Sequence, residues 1–148
     1  MTRYVGVVLL LLVEMSPVSL ARKEEPLDQL IARANAARPE QQPDLYMELA
    51  DRLLKLAIEA NKADQPEQFR SHLRDIVKYC DKAHSAAMHA NKQLKRTEIR
   101  IRRVSTRLQD LKLDVDVDDQ PQVQAAIDRL EGFRAELLHS MFGSKSND

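Results

Sequence analysis

The amino-acid sequence predicts an all-α fold: an elongated antiparallel helical bundle around one long central helix, at about residues 66–113, with coiled-coil-like packing. Three observations point there. Only 3 of 148 residues are glycine, against about 7% on average, and a sheet protein needs glycine-rich turns. Charged residues make up 31% of the chain and aromatics 4%, a composition suited to long solvated helices. Apolar side chains also recur every seven residues through the middle of the chain, the spacing of a helix–helix seam.

The elements follow in order. Arg3 precedes an uninterrupted apolar run at 4–13 (YVGVVLLLLV). Ten helical residues span about 15 Å, half of a bilayer core, so this run is too short to cross a membrane. Pro17 then breaks any helix, and Ser19 and Ala21 place small residues at the −3 and −1 positions of a cleavage site. This is the layout of a secretory signal peptide over 1–21. The expected processed chain is a single helical domain over 22–143 with a tail at 144–148, exported to the periplasm or beyond, and it has no transmembrane span. It keeps one cysteine, Cys80, so no internal disulfide can form and the core alone must hold the fold.

Leu27, Leu30, Ile31 and Ala34 have helical spacing, which predicts a short helix at about 26–37. Pro39 and Pro43 interrupt the chain next. A second helix, at about 43–63, carries the apolar stripe Tyr46, Leu49, Leu53, Leu56, Ala60 and Ala63. Asp64 and Glu67 have the spacing of a capping box for the third helix. From there to 113 no Gly or Pro occurs after Pro66. Leu73, Cys80, Ala87, Leu94, Ile101, Leu108 and Val115 form one seven-residue series. Ile76, Ala83, Ala90, Thr97, Val104 and Leu111 form a second, three residues on. The small members Cys80, Ala83, Ala87 and Ala90 bury the least area, so a bend near Asn91 would fall at the weakest part of the rod. Asp114–Asp119 is an acidic connector, and Asp119 repeats the cap chemistry before a last helix at about 121–142. Gly143 sits where a C-cap glycine belongs. By length, the second helix is expected along the first half of the long helix and the last helix along its second half.

Candidate chemistry is sparse. Cys80 and His84 share a helix face, but a zinc site needs three or four ligands and no other cysteine exists. Cys80 also lacks the base or positive surroundings of a nucleophile. As the one thiol of an exported chain, it is a candidate for an intermolecular disulfide. Asp114, Asp116 and Asp118 resemble the start of a calcium loop, yet Asp119 and Ala125 stand where that loop requires Gly and Glu. No metal and no cofactor are therefore expected.

The most informative surface is basic. Between Lys92 and Lys112 stand eight basic residues and two acidic ones, although the whole chain has no net charge. Arg96, Arg100, Arg103 and Arg107 follow four–three–four spacing and form a stripe beside the seam. Such a stripe suits phosphate-bearing polymers or anionic lipid headgroups. It is equally open to an intramolecular match with acids such as Asp128, Glu131 and Glu136. No aromatic side chains interleave it, which excludes base stacking, and export argues against a nucleic-acid partner.

The segments 43–50 (PDLYMELA), 95–99 (KRTEI) and 136–143 (ELLHSMFG) resemble those of a group of small exported all-helical bacterial proteins with no known activity. That resemblance implies a helical fold and export only. The expected function is a non-enzymatic structural or protein-interaction module of the cell envelope, meeting a protein partner or a second copy through its helix faces. The alternative is a binder of anionic envelope polymers or lipid headgroups through the basic stripe.

Overall fold

The computed structural model describes residues 23–143; the expected signal peptide and tail lie outside them. Five helices account for the described chain: α1 (Leu27–Ala36), α2 (Gln42–Lys62), α3 (Pro66–Ala90), α4 (Leu94–Asp114) and α5 (Gln120–Phe142). None is long and apolar enough to cross a membrane.

The all-helical class and helix-on-helix packing match the expectation. The single long helix does not: it divides at 91–93 into α3 and α4. Asn91 and Gln93 adopt left-handed backbone, with φ of 50° and 60°. Asn91 closes α3 with a Schellman pair of bonds, Lys92 N–H to the Ala87 carbonyl and Asn91 N–H to the Met88 carbonyl, both 3.3 Å. The Gln93 side-chain amide then donates to the Glu40 carbonyl, and the Gln93 backbone carbonyl accepts from Thr97 N–H at 2.8 Å. Asparagine enters the left-handed region more readily than other non-glycine residues, because its short amide hydrogen-bonds locally. A turn without Gly or Pro is therefore possible here.

Folding back changes the architecture from a rod to a four-helix bundle. Near its start, α4 meets the start of α2 through Arg100 and Asp44. At its end it meets the end of α2, where Asn61 Nδ2 donates to the Asp114 carbonyl at 3.4 Å. So α2 and α4 run parallel. Likewise, Arg70 of α3 meets Asp119 before α5, and His84 of α3 meets Glu136 of α5, so α3 and α5 run parallel. α2 touches α3 and α4, and α5 touches the same two. This is up–down–up–down order, with α1 folded along α2. α1 is held by fully buried Leu30 and Ala34 and by Tyr46 Oη donating to Asn35 Oδ1 at 3.0 Å.

The seven-residue series nonetheless marks the core. Leu73, Ile76, Cys80, Ala83 and Ala87 are buried on α3, and Thr97, Ile101, Val104, Leu108, Leu111 and Val115 on or after α4. Only Ala90 and Leu94, which flank the turn, are half-buried. The bent arrangement wins because α4 buries its stripe against α2 as well as α5, whereas a straight rod would offer it one neighbour. Each large aliphatic side chain taken out of water contributes about 1.5–3 kcal/mol.

The expected caps are also revised. Asp64 lies at φ 54° and ends α2 rather than starting α3, with Gln65 N–H donating to the Ala60 carbonyl at 2.9 Å. Gln65 is the N-cap of α3 and makes no side-chain cap bond. Glu67 instead pairs with Arg70 at 3.2 Å. Asp119 precedes α5 as expected, but its carboxylate serves Arg70 Nε at 2.7 Å rather than the helix's own N–H groups. Gly143 does stand at the C-cap of α5, in ordinary right-handed backbone at φ −71°. A Cβ there would lie 2.7 Å from the ring of exposed His139, which would have to turn aside.

Candidate functional site

α4 turns Thr97, Ile101, Val104, Leu108 and Leu111 inward. Its helical period then sets the four stripe arginines along the α2 side, where Arg96 and Arg100 meet α2 carboxylates and Arg103 and Arg107 line a cleft between α2 and α4. They are not equivalent. The Arg100 guanidinium is 19% exposed and lies between two carboxylates, 3.3 Å from Asp44 and 2.8 Å from Asp51. It also donates to the Asp44 carbonyl at 3.0 Å, which makes it a clamp between two helices. Arg96 reaches Asp44 at 3.0 Å while its side chain stays 67% exposed. Arg103 and Arg107 are exposed and, among the described residues, take part in no ion pair.

The free pair lines a cleft of about 290 Å³ with Lys55, Asp51, Leu54 and Ile58. A separate, open depression of about 820 Å³ lies on the start of α4 itself, lined by Lys95, Arg96, Ile99, Arg100 and Arg103. Apolar floor and cationic walls suit an anion carrying an apolar portion, or a flexible polyanion lying along the helix. The intramolecular match expected from Asp128, Glu131 and Glu136 comes instead from Asp44 and Asp51 of α2. Those three face other partners: Gln124 donates to Asp128 at 2.8 Å, Glu131 pairs with Arg134 at 2.6 Å, and Glu136 approaches His84.

A second polar line on α4 was missed by the sequence reading. Glu98, Ser105 and Lys112, seven apart, face α5. Glu98 is 7% exposed at its side chain and pairs with Arg134 at 2.9 Å. Ser105 Oγ donates to Glu131 Oε1 at 2.6 Å, and Lys112 Nζ donates to Gln124 Oε1 at 2.8 Å. Their common spacing, one residue after each inner seam position, was the available signal. The line fixes register between α4 and α5. The Ser105 hydroxyl is buried and committed to Glu131, which is in turn held by Arg134.

Cys80 is fully buried, so the folded chain does not present its sulfur to a second copy. Burial pushes its thiol well above the ordinary range, with the Asp51 carboxylate adding to the effect. His84 stacks on Phe133 with ring centroids 5.1 Å apart. Its Nε2 lies 2.8 Å from Glu136, yet neither ring nitrogen has hydrogen-bond geometry to any partner. The approach is thus a close contact without the geometry of a directed hydrogen bond. Among the described residues, no group of three or more His, Cys, Asp or Glu side chains is placed to hold a metal ion. Comparison with protein families, curated proteins and solved structures finds no match to this chain.

Proposed function

We propose that this chain is a non-enzymatic helical binding module of the cell envelope, which holds anionic polymers or lipid headgroups in the groove between α2 and α4. One observation carries the reading: Arg103 and Arg107 stand exposed beside Lys55 in a cleft whose single carboxylate, Asp51, is already engaged by Arg100. The small-residue seam cannot serve as an outer docking face, since Cys80, Ala83 and Ala87 are consumed by the core. The apolar run at 4–13 and the small residues before Arg22 support export.

The test is retention on vesicles containing phosphatidylglycerol, compared with neutral vesicles, as ionic strength rises. Attraction to a charged surface weakens as the screening length falls from about 30 Å at 0.01 M salt to about 10 Å at 0.1 M. Replacing Lys55→Gln, Arg103→Gln and Arg107→Gln together removes three unpaired charges. At about 1 kcal/mol per basic residue near an anionic surface, affinity should drop on the order of a hundredfold. Unchanged retention by the folded triple variant refutes the proposal.

A further inference from the structure

We propose that the chain exchanges its α4–α5 hairpin with a second copy of itself, residues 91–93 straightening so that α3 and α4 become one helix. Four observations converge on this. The seven-residue series runs through the turn without a slip: Ala83, Ala87, Ala90, Leu94, Thr97 and Ile101 keep one register. No Gly or Pro lies between 67 and 113, so nothing in the turn opposes a continuous helix. The closed turn instead holds Asn91 and Gln93 in left-handed backbone, a cost that straightening removes. Finally, the most extensive helix contacts lie within the α2–α3 and α4–α5 hairpins, so each hairpin can travel as a unit.

What joins the two hairpins can form equally well between copies. Arg100 with Asp44 and Asp51, Arg70 with Asp119, and Asn61 with the Asp114 carbonyl would all be remade across the exchanged dimer. The Gln93 bond to the Glu40 carbonyl is the turn-specific contact that is lost. Near the straightened hinge the half-buried Ala86 and Ala90 offer little bulk against a second copy. Exchange of identical elements is a low-cost route to a dimer, and a short strained hinge invites it. Association lowers entropy, so the closed monomer dominates in dilute solution and exchange follows refolding at high concentration.

The experiment uses the full chain carrying Cys80→Ala. One preparation adds Asp44→Cys and the other Arg96→Cys, positions whose native side chains meet at 3.0 Å. Both are unfolded, mixed, refolded at high concentration and treated with a bifunctional maleimide that restores the reach of the lost arginine side chain, since a disulfide needs closer backbones. An exchanged dimer places residue 44 of one copy near residue 96 of the other, giving a cross-linked mixed dimer, whereas the two chains refolded separately and then mixed do not cross-link. Adding Asn91→Ala to both preparations favours the straight helix in two chains at once and should raise the dimerisation constant about a hundredfold. Asn91→Gly should lower the yield, because glycine accepts the left-handed turn at no cost. A monomeric Asn91→Ala chain, or a dimer without the 44–96 link, overturns the proposal. If that variant does not fold, Gln93→Ala, which keeps Asn91 in the turn, is read by the same link and the same criteria.

Discussion

The turn at Asn91 makes a substitution whose sign, and not only its size, is diagnostic. Alanine in left-handed backbone costs about 1–2 kcal/mol, while asparagine visits that region routinely. In the interior of a helix the order reverses, and alanine is better than asparagine by up to about 0.7 kcal/mol. Asn91 lies at φ 50°, so Asn91→Ala should destabilise the dilute monomer by about 1 kcal/mol. A continuous helix through the same position would gain about 0.5 kcal/mol instead. The assay is urea unfolding followed by far-UV circular dichroism at low protein concentration, with the midpoint and slope fitted together. Ser85→Ala, at an exposed site inside α3 and more than a turn before its end, serves as the control and should gain a few tenths of a kcal/mol from helix propensity alone. A midpoint for Asn91→Ala that stays level or rises alongside the control would refute the bent arrangement.

Two further outcomes follow from side-chain environments. Arg100→Gln strands Asp51 and leaves Asp44 to the exposed Arg96; the pair is neither fully buried nor fully solvated, so the cost should be about 2 kcal/mol. Arg103→Gln, at an exposed site, should stay within about 0.5 kcal/mol in the same unfolding series. Cys80 should resist thiol reagents until the bundle opens, so labelling and unfolding rates should track each other as denaturant is raised; rapid labelling of the native chain would contradict its burial.

Much of this fold is legible in the sequence, because burial and periodicity are linked. The series from Leu73 to Val115 picks out core positions on both sides of the turn, and the helix boundaries near Pro39, Pro43, Pro66 and Pro121 follow from where proline is tolerated. The weak point near Asn91 is legible from the small seam residues, but that the chain reverses there is hidden, since Asn91 and Gln93 are ordinary helix-surface residues by composition. Only their backbone angles, imposed by what α4 can bury against α2, distinguish them. Asp64 and Asp119 mislead for a related reason: short acidic side chains suit a helix start, a left-handed C′ position and a distant arginine alike. At the groove, the arginine spacing was readable, but the division into engaged Arg100 and free Arg103 and Arg107 depends on Asp44 and Asp51, about fifty residues away. Pairing across that separation is decided by which helices become neighbours.

The tyrosines within the bundle all lie in one of the two hairpins, and that gives the molecule a built-in reporter. Tyr46 of α2 and Tyr79 of α3 stack with ring centroids 6.2 Å apart, while α4 and α5 contain no tyrosine and the whole chain no tryptophan. In a chain starting at Arg22, which lacks Tyr4, ultraviolet emission from these two rings therefore watches one hairpin, whereas amide dichroism averages over all five helices. Superimposable transitions from the two signals would mean that the hairpins melt as one cooperative body; a gap between them would measure how independently each can stand.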